Sequence, residues 1–188
     1  MADMHLSAEA RGAEPRPFLR RSNARLAAPT RGKLGSPQAT ERIMAFKRYA
    51  DAGWNGDLQS GTGSMSTPQS GLFAGQAYSF KTRFGDEAGT NPEELLAAAH
   101  AGCFSMALSA VLGRAGFIPE RIDTRAEATM DPGMEPGPTI TGVQLVVKAK
   151  VPGIDAAQFQ QIAEAAKAGC VISRALSVPV GLQATLET

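Results

Sequence analysis

The stretch from Asn91 to Gly116, "NPEELLAAAHAGCFSMALSAVLGRAG", constrains the fold more than any other part of this chain. Pro92 suits the first position of a helix, because its missing N–H would have no intrahelical partner there and its φ is already helical. Asn91 is then the N-cap, with Glu94 at N3 close to the positive end of the helix dipole. Thr90 as cap with Glu93 at N3 is the competing register. Under the Asn91 register Glu93 is not needed for capping and is free for another partner. After this start the run is apolar over much more than the stripe a surface helix needs, so it reads as a central helix buried on several sides, at a subunit interface.

Around that helix the punctuation of the chain gives the remaining elements. Lys47 to Phe84 alternates short apolar or aromatic patches with glycine-rich turns and reads as a meander of short strands. The segments "ERIDTRAEATMD" and "TITGVQLVVKAKV" read as antiparallel strands joined by "PGMEPGP". A second long helix runs from Asp155 to about Lys167 and stops at Gly169 as a C′ residue. A short helix from about Val171 and a last strand, "VPVGLQATLE", complete the order. The arrangement is α+β, with two long helices packed on antiparallel sheet.

Residues 1–43 lack either periodicity and are rich in Arg, Ala, Pro, Ser and Gly, which predicts a disordered tail ahead of one domain at 44–188. Met44 is an alternative translation start. The Arg20-Arg21 pair is not followed by an apolar segment, against a twin-arginine signal. The tail carries eight basic against four acidic residues and the remainder eleven against fourteen, so no basic face points to nucleic acid. The apolar runs read as too short to span a bilayer, which makes a cytoplasmic location the expectation. No phosphate loop, dinucleotide fingerprint or metalloprotease helix is present, and no cofactor is expected.

Chemistry then rests on two cysteines. Cys103 lies in the middle of the apolar helix, where a thiol packs as a small hydrophobe and its pKa rises unless a cation is near. Arg83, in "FKTRFGDEAG", is a candidate cation. Cys170 stands at the start of a short helix, where free N–H groups favour a thiolate, although a buried core thiol reads equally well. His100 is a helical neighbour of Cys103 and reads as a packed or interface histidine rather than a base or zinc ligand. Trp54 reads as a packing anchor near a turn. Glu93 and Cys103 are ten residues apart, about 15 Å along a straight helix, so both serve one site only across a two-fold dimer.

The blocks "RFGDEAGTNPEELLAAAHAGCFSMALSAVLGRAGF" and "VPGIDAAQFQQIAEAAKAGCVISRAL" closely resemble the osmotically inducible protein C branch of the OsmC/Ohr family of thiol peroxidases, from about Tyr49 onward. The resemblance implies an intertwined homodimer that reduces organic hydroperoxides at two interfacial sites. It matches Cys103 to the peroxidatic cysteine, Cys170 to the resolving cysteine, Arg83 to the catalytic arginine and Glu93 to the glutamate that orients it. Phe104 and Met106 would wall a pocket for the apolar tail of the hydroperoxide. A dithiol such as dihydrolipoamide, free or on a lipoylated protein, would be the reductant. Val171 departs from the proline that often follows the second cysteine in this family. A non-enzymatic binder of apolar ligands, or an oxidant sensor, is the alternative reading.

Overall fold

The computed structural model describes residues 45–187. The expected tail, 1–43, and the alternative start at Met44 lie outside the described residues. Strands β1 (Asp51–Asn55), β2 (Thr62–Ser66) and β3 (Ala74–Ser79) form an antiparallel meander in that order. The β1–β2 connection is set by Asp57, whose carboxylate accepts from the N–H groups of Gln59 and Ser60, both at 2.9 Å. Such Asx turns let a short polar side chain stand in for a backbone partner. Gly63 in β2 lies between the rings of Trp54 and Tyr78, and a Cβ there would collide with both. The rings meet across it with centroids 5.4 Å apart, and Trp54 donates to Gly56 O at 3.1 Å.

The meander does not continue to Phe84. Ser79 and Thr82 form a reciprocal capping box, Thr82 N–H to Ser79 Oγ at 3.2 Å and Ser79 N–H to Thr82 Oγ1 at 3.0 Å, which starts a one-turn helix α1 (Phe80–Phe84). Strand propensity in "SFKTRF" is overridden by this local hydrogen bonding.

Helix α2 spans Pro92–Arg114, with Asn91 as its cap: Asn91 Oδ1 accepts from Glu94 N–H at 2.9 Å. The Glu94 carboxylate turns outward and accepts from the Thr90 hydroxyl at 2.7 Å. The helix ends where Gly116 adopts φ +88° and Phe117 N–H closes on Leu112 O at 3.0 Å, a left-handed stop that glycine makes without steric penalty. By length and composition α2 is apolar enough to cross a bilayer, contrary to the expectation from the sequence. Its alanines raise the mean hydropathy without adding bulk. In the fold it serves as a core helix: His100, Phe104, Leu108 and Leu112, one turn apart, form a buried stripe. Burial on several sides is not met within one chain.

Strands β4 (Arg121–Asp131) and β5 (Thr139–Lys150) form an antiparallel hairpin, and β6 (Val180–Glu187) lies beside β5. Along β5 the buried residues Val143, Leu145, Val147 and Ala149 alternate with less buried ones, the period of a strand with one face on a core. They join the α2 stripe and Phe159, Ile162, Ala163 and Ala166 of helix α3 (Ala156–Gly169) in one cluster. The α+β class stands, with one correction: β6 pairs parallel to β5, so the second sheet is mixed rather than antiparallel. Parallel neighbours need a long crossover, and α3 with helix α4 (Val171–Ala175) supplies it.

Candidate active site

Both cysteines belong to this second, closed part of the fold. Cys103 is in the middle of α2 and half-buried; Cys170, wholly buried, is the single residue between α3 and α4. Gly169 is the last helical residue rather than a left-handed C′, and the break is made by the extended backbone of Cys170, φ −64° and ψ 127°. That kink aims the Cys170 side chain at α2. The two sulfurs are 3.2 Å apart, within hydrogen-bond contact and close enough to join with small side-chain rotations.

The environment of Cys170 opposes two effects. Burial raises its pKa, but the N–H and hydroxyl of Ser173, the Cys103 thiol and the Ile172 N–H outweigh it and hold the thiol below its ordinary value. The N–H groups act from the first turn of α4 without making a formal capping hydrogen bond.

A cavity of about 380 Å³ opens beside Cys103, and Met106, Ala107, Val111, Ala166 and Val171 contribute to its wall. Met106 lines this space and is 77% exposed. Phe104 does not line it: its ring is wholly buried among Leu108, Leu145 and Phe159 in the core. In a helix apolar all round, sequence alone does not say which face meets the sheet.

Arg83 and Glu93 meet each other in the same chain. Arg83 Nη2 donates to Glu93 Oε1 at 2.6 Å, and its Nε lies 3.1 and 3.2 Å from the two carboxylate oxygens. This fork geometry fixes the plane of a guanidinium. The Asn91 cap makes the arrangement possible, because it leaves Glu93 at N2 free, and Asn91 Nδ2 also donates to Thr82 O at 3.3 Å, tying α1 to the start of α2. Neither Arg83 nor Glu93 hydrogen-bonds to Cys103 of its own chain among the described residues; Glu93 is about 15 Å away along the helix. The structure therefore holds two separate groups: a dithiol with an adjoining cavity, and an oriented guanidinium.

His100 is packed, as the sequence leads one to expect, against Ser173, which the sequence does not single out. The His100 ring is wholly buried and its Nε2 is 2.7 Å from Ser173 Oγ. The signal was present as the one histidine inside "LLAAAHAGCFSMAL". No group of acidic, histidine or cysteine side chains among the described residues is arranged to hold a metal.

Residues 85–183 match the model of a family described as OsmC-like protein. The chain is 47% identical over 145 residues to peroxiredoxin OsmC of Escherichia coli K12, covering 77% of this chain and all of that one. It is 32% identical over 100 residues to an organic hydroperoxide resistance protein of Xanthomonas axonopodis pv. citri, covering 52% of this chain and 67% of that protein. Among solved structures, the organic hydroperoxide resistance protein OhrB of Bacillus subtilis superposes with a TM-score of 0.56 at 24% identity, over 74% of this chain and 98% of that one. An OsmC-like protein from Vibrio cholerae gives 0.60 at 15% identity, over 75% of this chain and all of that one.

Proposed function

Because the chain belongs to the OsmC-like protein family, we propose that it is a cysteine-based thiol peroxidase that reduces organic hydroperoxides to alcohols, with Cys103 as peroxidatic and Cys170 as resolving cysteine. The observation that carries this reading is the contact of the two sulfurs at 3.2 Å beside an apolar cavity. A core packing role for both cysteines would not require them to face each other.

The Cys103 thiolate attacks the outer oxygen of ROOH; an S–O bond forms, the O–O bond breaks, and the alkoxide leaves as ROH after taking a proton. Arg83 stabilises both the attacking thiolate and the charge on the departing oxygen, and Glu93 holds its plane. The Cys170 thiolate then attacks the sulfur of the Cys103 sulfenic acid, forming the disulfide and releasing water. A dithiol, such as a free or protein-bound dihydrolipoamide, restores both thiols by exchange and is itself oxidised. The apolar wall at Met106, Ala107 and Val111 favours a hydroperoxide with an apolar R group. A cytoplasmic, reducing setting keeps both thiols available between turnovers.

The guanidinium in this reading comes from the second subunit of an intertwined homodimer. Support comes from three features of the single chain: Arg83 is paired to Glu93 away from Cys103, the outer face of α2 around Met106 is exposed, and β1 is exposed at all five residues. A two-fold partner laying its α1 and α2 start against the middle of α2 covers the apolar face and completes the site.

The test is steady consumption of cumene hydroperoxide with dihydrolipoamide. The parent turns over and Cys103→Ser is inactive. A variant as active as the parent, or a parent that binds hydroperoxide without consuming it, overturns the peroxidase reading, the second result favouring a ligand binder or sensor.

A further inference from the structure

The cavity beside Cys103 is an apolar slot with a cation at its far end. On α2 its wall passes through Cys103, Ala107, Val111 and Arg114, one residue per turn on a single face. From the thiol to Arg114 that is about 16 Å along the helix axis. The stripe is half-buried as far as Val111 and flanks the buried stripe of Phe104, Leu108 and Leu112. The opposite wall comes from Ala165, Ala166 and Gly169 of α3. Gly169 precedes Cys170, whose sulfur touches Cys103, so this wall starts at the thiols. With one methyl group or none, Ala107, Ala110, Ala165 and Gly169 leave space where longer side chains of the two helices would interdigitate.

Among the described residues that line the slot, Arg114 alone is charged. It stands in the last turn of α2, where the helix dipole favours a cation. The dipole does not explain why the guanidinium borders an apolar slot, nor why it lacks an acidic partner. Among the described residues Arg114 makes no ion pair, and Glu164, the acidic side chain beside Ala165 in sequence, is engaged by Lys167 at 2.8 Å.

We propose that Arg114 is a specificity-determining residue: the slot takes a hydroperoxide whose hydrocarbon chain ends in a carboxylate, with the peroxide at Cys103 and the carboxylate on the Arg114 guanidinium. This rests on the peroxidase reading and narrows its substrate from any apolar R group to one with an anionic end. The methylenes of the chain cover the alanine wall and leave water. The guanidinium offers the carboxylate two parallel N–H donors. A neutral chain makes the first contact only. The carboxylate is remote from the O–O bond, so its contact is the same before and during bond breaking and is felt in KM rather than kcat. Arg114 is exposed to solvent, which limits the pair to an effect of about fivefold.

The test compares ω-hydroperoxydecanoate with its methyl ester, using dihydrolipoamide as reductant. Arg114→Gln should raise the KM of the acid relative to the ester about fivefold while the kcat of the acid stays within about twofold. Arg114→Glu should shift the ratio further in the same direction. Arg174→Gln removes a cation from α4 outside the slot and should leave the ratio at the parental value. A ratio that does not move in Arg114→Gln, or that moves as much in Arg174→Gln, as net charge alone would give, overturns the proposal. A second arm needs no turnover: Cys103→Ser is titrated calorimetrically with decanoate and with decanol. Adding Arg114→Gln should weaken decanoate about fivefold against decanol. Unchanged decanoate affinity overturns the carboxylate site. If the parent consumes no hydroperoxide, the peroxidase reading fails while the calorimetry still decides the role of Arg114.

Discussion

The part of the chain from α2 to β6 closes on itself, whereas the meander β1–β3 with α1 does not. In the first, Phe104, Leu108, Leu145, Val147 and Phe159 are sealed from solvent. In the second, β1 is wholly exposed and β3 mostly so, and the side chains gather only locally, as in the Trp54–Tyr78 pair. A three-stranded sheet with little of either face covered is marginal by itself. The chemistry divides along the same line, with both sulfurs in the closed part and the guanidinium on the open one. The difference teaches that the closed part sets sulfur geometry alone, while on the proposed reading bringing the cation to the sulfur is a task of assembly.

This division is most exposed to refutation at Arg83. Arg83→Ala should lower kcat/KM for cumene hydroperoxide by about 10²–10³-fold, the loss typical of one preorganised donor to a developing anion. Co-expressing it with Cys103→Ser should restore about a quarter of parental activity, because randomly mixed dimers contain one intact site of two in half of the pairs. No recovery would mean that one chain supplies both groups and would erase the distinction.

Next in size are the stabilities of the two parts. Leu108→Ala should cost about 3 kcal/mol in denaturant unfolding, from lost transfer and an unfilled cavity. Trp54→Ala should act mainly through the partner, so its thermal midpoint should rise with protein concentration more steeply than that of Leu108→Ala. Equal concentration dependence would argue that the meander is stable by itself.

The smallest effect is expected at the junction. Asn91→Ala should cost about 1 kcal/mol through loss of the α2 cap. It should also lower activity more than Thr90→Ala does, because Asn91 ties α2 to α1 and leaves Glu93 free for Arg83. Matching losses in the two variants would reduce Asn91 to a cap.

The legibility of the sequence follows the range of the interactions. The start of α2 was readable because a proline, an asparagine and a carboxylate act within one turn. The pairing of Glu93 was readable from what the cap leaves over. Helix α1 was missed although its signal, Ser79 three residues before Thr82, is local, because the aromatic residues around it favour a strand. The direction of β6 was not readable, since eight residues of alternating pattern pair equally well either way and the crossover decides. Phe104 was assigned to the cavity because a helix apolar on every side gives no preferred face. His100 and Ser173 are 73 positions apart, and their contact depends on the whole closed part.

The parallel pairing of β6 with β5 bears on the order in which the fold forms. The strand that follows the crossover is Val180–Glu187. Helices α3 and α4 lie between the two paired strands, so the parallel ladder and the docking of Cys170 on α2 close the same stretch of chain, and non-local parallel pairing is slow to form. In folding, Cys103 is set within its local helix before Cys170 has a fixed place beside it. An oxidant met at that stage would find a thiol without its neighbour, so the partly folded chain is the form most exposed to irreversible oxidation.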